Sequence, residues 1–278
     1  MDVACELVDI ISERKLMKQR IALGVEYYGH GFSGWQAQKD GVLTVQGAVE
    51  DALSSVANES VRVICAGRTD TGVHAAEQIV HFETEVKRTN RSWIYGANAN
   101  LPDNVCILWA KPVSSEFHAR FSARRRRYQY VIFNRHVRPT YLAYRVTWEY
   151  RPLDETRMQH AANYLIGKHD FNAYRAVGCQ AKSPVREVYS LNVTRKNEFI
   201  FIDIEANAFL HHMVRNIAGV LMDVGAGKCE PVWAQEILNT KDRTQGGMTA
   251  SSAGLYLTGV SYEDEFDLPQ LSNVQQVW

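Results

Sequence analysis

Arg62-Val63-Ile64-Cys65-Ala66-Gly67-Arg68-Thr69-Asp70-Thr71-Gly72-Val73-His74-Ala75-Ala76-Glu77-Gln78-Ile79-Val80-His81-Phe82 holds two apolar runs, Arg62 to Ala66 and Glu77 to Phe82, separated by a turn of glycine and small polar residues. Apolar runs bounded by Gly, Thr and Asp are strand signals. Ahead of them, Ile21, Leu23, Val25 and Tyr27 alternate as a first strand, and Thr44 caps a helix with Val45, Ala48, Val49, Ala52, Leu53 and Val56 at helical spacing. Behind them come a short helix, about Arg91 to Ala99, and a strand from Val105 to Ala110. The order is β-α-β-β-α-β, a split βαβ unit.

The second half of the chain repeats that order with more decoration. A strand spans about Arg127 to Asn134, and Asp154 caps a helix that ends at Gly167. Val185 to Thr194 and Glu198 to Ala206 form a hairpin across Arg195-Lys196-Asn197. A long helix is predicted from an Asn207 cap to Gly225, with Leu210, Met213, Val214, Ile217, Val220, Leu221 and Val224 as its apolar stripe. Another helix starts at Pro231, and Gly254 to Tyr262 gives the last strand. The fold class is α+β: two split-βαβ-like (ferredoxin-like) units with antiparallel sheets and a cleft between them. Their bounds are residues 18–114 and 115–278. Residues 1–17 lack this patterning and read as an N-terminal extension, disordered or preceding a natural start at Met17.

A hydrophobic fraction of 46% over 278 residues is ample for folded cores. Five widely spaced cysteines without a CxxC pair indicate reduced thiols in a cytoplasmic protein, with no disulfide frame or zinc motif. Asp2, Glu6 and Asp9 exclude a signal peptide, and no apolar run approaches the ~20 residues of a membrane span. Net charge is zero, 31 basic against 31 acidic groups, yet the charge is segregated. From Phe117 to Thr140 there are seven arginines and no acid, running into the strand Tyr128-Gln129-Tyr130-Val131-Ile132-Phe133. Cations beside aromatic rings suit a nucleic-acid partner, whereas an isolated arginine run is also a solvated loop.

In the central turn, Arg68 and Asp70 place a cation beside a carboxylate that is then held ready for nucleophilic work. Asp-x-Gly after an apolar strand is equally the pattern of an ordinary hairpin connection. On the long helix Arg215 lies about 160° from the apolar stripe, near His212 and Gly219. It is therefore either solvent-exposed or lines the cleft, where it meets an acid or a phosphate. His211 and His212, adjacent on a helix and so about 100° apart, are not expected to share a metal. His74 and His118 are read as structural hydrogen-bonders or nucleic-acid contacts, and Gly29 to Gly34 as a mobile loop near that partner.

Several segments in this order resemble the TruA family of tRNA pseudouridine synthases: Gly34-Trp35-Gln36, Gly67-Arg68-Thr69-Asp70-Thr71-Gly72-Val73-His74-Ala75, Asn98-Ala99-Asn100-Leu101-Pro102, Arg127-Tyr128-Gln129-Tyr130, Phe209-Leu210-His211-His212-Met213-Val214-Arg215-Asn216-Ile217 and Gly254-Leu255-Tyr256-Leu257. The resemblance runs from about Lys18 to Leu268. It implies isomerisation of uridines 38, 39 and 40 of the tRNA anticodon stem-loop to pseudouridine, without metal or organic cofactor, by a homodimer. It makes Asp70 the catalytic nucleophile, Tyr128 the ring that stacks on the target base, Arg215 the partner of the aspartate and Leu255 a wall of the base pocket. Thr71 stands where the family most often has alanine, and Gly246-Gly247-Met248 and Ser251-Ser252 depart from an alanine-rich stretch.

The chemistry asks for such groups. The glycosidic bond must break and the uracil turn before C5 joins the same sugar carbon, so the base has to leave the stack. One aspartate can attack the anomeric carbon, assist loss of a sugar proton to a glycal-like intermediate, or add to C6, and all three routes stay open. With Arg68 on the turn, Arg215 is the expected ion-pair partner and Arg68 an RNA-facing residue. The alternative is an RNA-binding or RNA-folding protein in which Asp70 is only a turn residue. A glycosidase-like hydrolase would need a second carboxylate ~5 Å away, and no acid occupies a comparable motif.

Overall fold

The central strands, 19–27 and 74–84 above all, are buried on both faces, and the computed structural model describes residues 18–39 and 41–269, so the 1–17 extension lies outside it. The first half runs β1 (Gln19–Tyr27), α1 (Val45–Ala57), β2 (Ile64–Cys65), β3 (His74–Thr84), α2 (Asn90–Asn98) and β4 (Val105–Val113). Thr44 caps α1 as expected, its hydroxyl accepting from the Gly47 N–H, and Thr89 caps α2 in the same way through Ser92. The second half runs β5 (Arg125–Asn134), β6 (Thr147–Glu149), α3 (Glu155–Asn163), β7 (Gly167–Asp170), β8 (Val185–Lys196), β9 (Phe199–Ala206), α4 (Met213–Gly225), α5 (Trp233–Thr240) and β10 (Leu255–Ser261). Mixed helices and a multi-stranded sheet are the expected α+β composition.

What the sequence suggests as two sheets is one, ordered β4-β1-β3-β10-β5-β9-β8-β7, with β2 beside β3 and β6 beside β5. The short strands β2 and β6 cover only part of one edge of β3 and of β5. β10 fills the rest of both edges, antiparallel to β5 and parallel to β3, with Tyr256 opposite His74 and Leu257 opposite Ala75. Open edges left unpaired would expose backbone donors and acceptors, and one strand satisfies both. A bulge in β3 opposite Val25–Tyr27 of β1 lets Ala75 and Val80 serve the same core despite their odd and even numbers.

That core is continuous across both halves. It joins Leu23 and Val25 of β1, Tyr128 and Tyr130 of β5, Ile202 and Ile204 of β9 and the buried sides of all five helices of the described residues. The opposite face is covered in two smaller patches, by Phe117 and Ala119 over Ala22, Ile79 and Trp109, and by Leu142 and Val146 over Val131, Phe133 and Phe201. Among the described residues no helix is long and apolar enough to cross a membrane. Cys65, Cys106, Cys179 and Cys229 are half-buried free thiols, and Cys65, Cys179 and Cys229 pack against the core.

Two helices differ from their sequence reading. α3 ends at Asn163, short of Gly167, which opens β7 at φ 104°. α4 begins at Met213, not after Asn207, because His212 takes the left-handed conformation with φ 60° and breaks the helical path. The Asn207 carbonyl is drawn instead to Arg126 Nη1 at 2.8 Å, and Leu210 turns into the core.

Candidate active site

The turn that carries Asp70 is held from three sides. Val73 N–H donates to the Asp70 carbonyl and Gly72 adopts φ 78°, closing a tight turn that needs glycine at that position. The buried Tyr27 hydroxyl bonds Thr69 Oγ1 at 2.8 Å, and Gln78 Nε2 donates to the Gly67 carbonyl at 2.6 Å. The Gly29–Gly34 loop, read from sequence as mobile and RNA-facing, packs as the backing of this turn. A Cβ on Gly29 would lie 1.9 Å from the Val73 carbonyl, and one on Gly34 2.9 Å from the Thr69 carbonyl, while Trp35 N–H donates to that same Thr69 oxygen. Phe32 and Trp35 from the loop are fully buried, so the close approach is fixed by packing.

Opposite the turn stands the start of α4. Arg215 Nη1 donates to Asp70 Oδ2 at 3.2 Å, while its Nε donates to the Ala250 carbonyl at 2.8 Å. Ala250 N–H returns a bond to the Arg215 carbonyl. The guanidinium is thus clamped, with only 16% of its side chain exposed, in place of the solvent-facing arginine that helical periodicity alone allowed. Arg68 is exposed on the other side of the turn and is not among the groups that contact the carboxylate.

Two further groups were not anticipated at Asp70. His211 Nε2 lies 3.4 Å from Oδ1 and His212 Nε2 lies 3.3 Å from Oδ2. The expectation that these rings diverge by the helical angle fails, because φ 60° at His212 brings their centroids to 4.0 Å. Burial lowers the His212 pKa, opposed by the Asp70 charge, so this ring favours its neutral form.

Tyr128 lies on β5 with its ring against Phe209, edge to face at 5.0 Å. Burial first, then the Asp70 charge, raises its phenol pKa well above the ordinary value. That direction favours the protonated phenol in the free protein. Leu257 faces Tyr128 across β5 and β10, and Leu255 faces Tyr130 one step along, all in the helix-side core. Arg126, two residues before Tyr128, donates to the Ala66 carbonyl at 3.0 Å and to the Asn207 carbonyl at 2.8 Å. It thereby ties the approach to the Asp70 turn to the approach to His211.

The arginine stripe is less free than its sequence implies. Arg125 and Arg127 both pair with Glu205 of β9, Arg124 with Glu263, and Arg135 with Glu198. Arg68, Arg120 and Arg138 are exposed outside those pairs. His74 is structural: buried and stacked on Tyr28, it accepts from the Gly29 N–H through Nδ1 and bonds the Tyr144 and Ala253 carbonyls through Nε2.

The site is a single carboxylate facing an arginine and two imidazoles, beside a buried phenol ring and an apolar strand end. The family model described as tRNA pseudouridine synthase matches residues 24–122 and 161–263. A tRNA pseudouridine synthase A of Nitrosococcus oceani is 59% identical over 259 residues, covering 93% of this chain and 100% of that one. Proteins of the same name from Pseudomonas aeruginosa and Coxiella burnetii are 55% and 52% identical, covering 90% and 91% of this chain and 88% and 96% of theirs. With matches of that extent, the chain belongs to the tRNA pseudouridine synthase family.

Proposed function

We propose that Asp70 is the nucleophile with which this chain isomerises uridine to pseudouridine in tRNA, at positions 38, 39 and 40 of the anticodon stem-loop. The observation that carries the reading is the Asp70–Arg215 contact of 3.2 Å, made between residues 145 positions apart. An ordinary hairpin turn has no use for a countercharge brought from a distant helix. Arg215 balances the carboxylate as water is excluded, and the double clamp on Ala250 holds it there without cost at each turnover.

The cleft lies between two split βαβ units, residues 18–114 with Asp70 and 115–278 with Tyr128, Arg215 and Leu255. The flipped uracil stacks on Tyr128, worth ~1–3 kcal/mol, against the few kcal/mol of leaving the stem. Leu255 walls the pocket, and exposed Arg68 meets the RNA backbone. Asp70 assists rupture of the C1′–N1 bond; the uracil turns and C5 joins C1′. The proton leaving C5 balances the one gained at N1, so nothing is oxidised and neither metal nor organic cofactor is required. In the glycal route the sugar proton is taken by Asp70, with Tyr128, a poor base at its raised pKa, as the other acceptor. The enzyme is a cytoplasmic homodimer with one tRNA touching both subunits.

Asp70→Asn incubated with unmodified tRNA tests this. Product formation should drop by on the order of 10⁴-fold or more while tRNA binding persists. Pseudouridine forming at the wild-type rate would overturn the assignment, and a wild-type protein that binds tRNA without converting it would favour an RNA-binding module.

A further inference from the structure

The geometry points to a transition-metal site at Asp70, His211 and His212, whose occupation by Zn²⁺ or a similar ion switches the enzyme off. The two imidazole nitrogens lie 3.4 and 3.3 Å from the carboxylate oxygens. Those separations exceed the ~2.7–2.9 Å of a charge-assisted hydrogen bond. Each imidazole faces a different carboxylate oxygen, so the two rings bracket Asp70, at separations close to the ~3.3 Å between ligands that stand ~2.0–2.1 Å from a tetrahedral zinc. The three ligand atoms all fall within 4.8 Å of one another.

The left-handed turn at His212 is what converts two neighbouring histidines into a chelating pair. Arg215 and His212 share Oδ2, so an ion held by Oδ1 and His211, whose ring is 47% exposed, draws the His212 ring across from Oδ2. Three protein ligands leave a fourth position to water, and two imidazoles with one carboxylate suit Zn²⁺, Co²⁺ or Cu²⁺ over Mg²⁺. The cation takes up the lone pairs that Asp70 needs for attack. Metal binding follows from the residues alone, whereas the inhibition rests on Asp70 being the nucleophile.

The test is titration of the metal-free full chain with Co²⁺, read by the visible spectrum of a low-coordinate ion. One Co²⁺ should bind, be displaced by Zn²⁺ and be indifferent to excess Mg²⁺. His212→Ala and Asp70→Asn should each weaken it by about 10-fold or more. Stoichiometric Zn²⁺ should abolish pseudouridine formation, with recovery on adding EDTA, and tRNA should compete with the metal. Absence of a Co²⁺ band, or an unchanged affinity in the double variant His211→Ala/His212→Ala, overturns the site. Zn²⁺ bound at these residues with pseudouridine formation intact would uphold the site and overturn the nucleophile assignment instead.

Discussion

Asp70 is set by backbone: a turn closed by Val73, a glycine at φ 78°, and two loop glycines pressed against its carbonyls. The groups facing it are set by side chains. His211, His212 and Arg215 reach the carboxylate from a segment whose path depends on one left-handed residue and on the clamp between Arg215 and Ala250. Backbone-fixed geometry tolerates no added atoms, whereas side-chain-fixed geometry tolerates substitution of everything except the reaching group. The acid is therefore expected to fail through packing and the cationic side through charge.

The largest effect separating the two is at Arg215. Arg215→Ala should lower product formation by on the order of 10²–10³, the range for removing one preorganised donor, with little change in the unfolding midpoint. Arg215→Lys should recover part of it, since it restores a charge but not the fork that also holds Ala250. Single-turnover assays beside urea melts check this. A melt that collapses in Arg215→Ala would show that this side, too, is fixed by packing.

Gly29→Ala tests the other side. Its Cβ would sit 1.9 Å from the Val73 carbonyl, so stability should fall by about 3 kcal/mol or more, with loss of activity following. Gly31→Ala is the control: φ is 89° there but no atom lies within 4 Å, leaving only about 1 kcal/mol of backbone strain. Equal losses in the two variants would mean that the turn is not supported by this contact.

His74 stitches the regions together, taking the Gly29 N–H on one nitrogen and bonding the Ala253 and Tyr144 carbonyls with the other. Burial, with the charge of Arg145 adding to it, pushes its pKa down to about 4. The unfolded chain takes up that proton near pH 6.5, so stability is full above that pH and is lost as the pH falls toward 4. Between about pH 8 and pH 5 this amounts to ~2 kcal/mol. In His74→Asn that part of the pH dependence should disappear from urea unfolding curves. An unaltered pH dependence would remove His74 as the acid-sensitive tie.

Asp70, Tyr128 and Arg215 were legible in the sequence through the motifs that resemble the family; periodicity alone left Asp70 open as a turn residue and Arg215 open as a solvent-exposed one. Three things were not. The insertion of β10 between β3 and β5 depends on edges left open by short strands elsewhere. Neutralisation of Arg125 and Arg127 depends on Glu205, nearly eighty residues away and adjacent only through the β5–β9 register. The His211–His212 pair depends on one non-glycine φ of 60°, which carries no mark in the sequence.

The smallest effect addresses that last point by its sign. In a helix interior, glycine at position 212 would be worse than alanine by about 1 kcal/mol. In the left-handed conformation the order reverses, because alanine carries the Cβ penalty that glycine escapes, less what glycine loses to unfolded-chain entropy. His212→Gly should therefore be more stable than His212→Ala by about 0.5–1 kcal/mol in equilibrium unfolding. The opposite order would extend α4 back through His212, swing the two imidazoles apart and leave Asp70 with Arg215 as its partner.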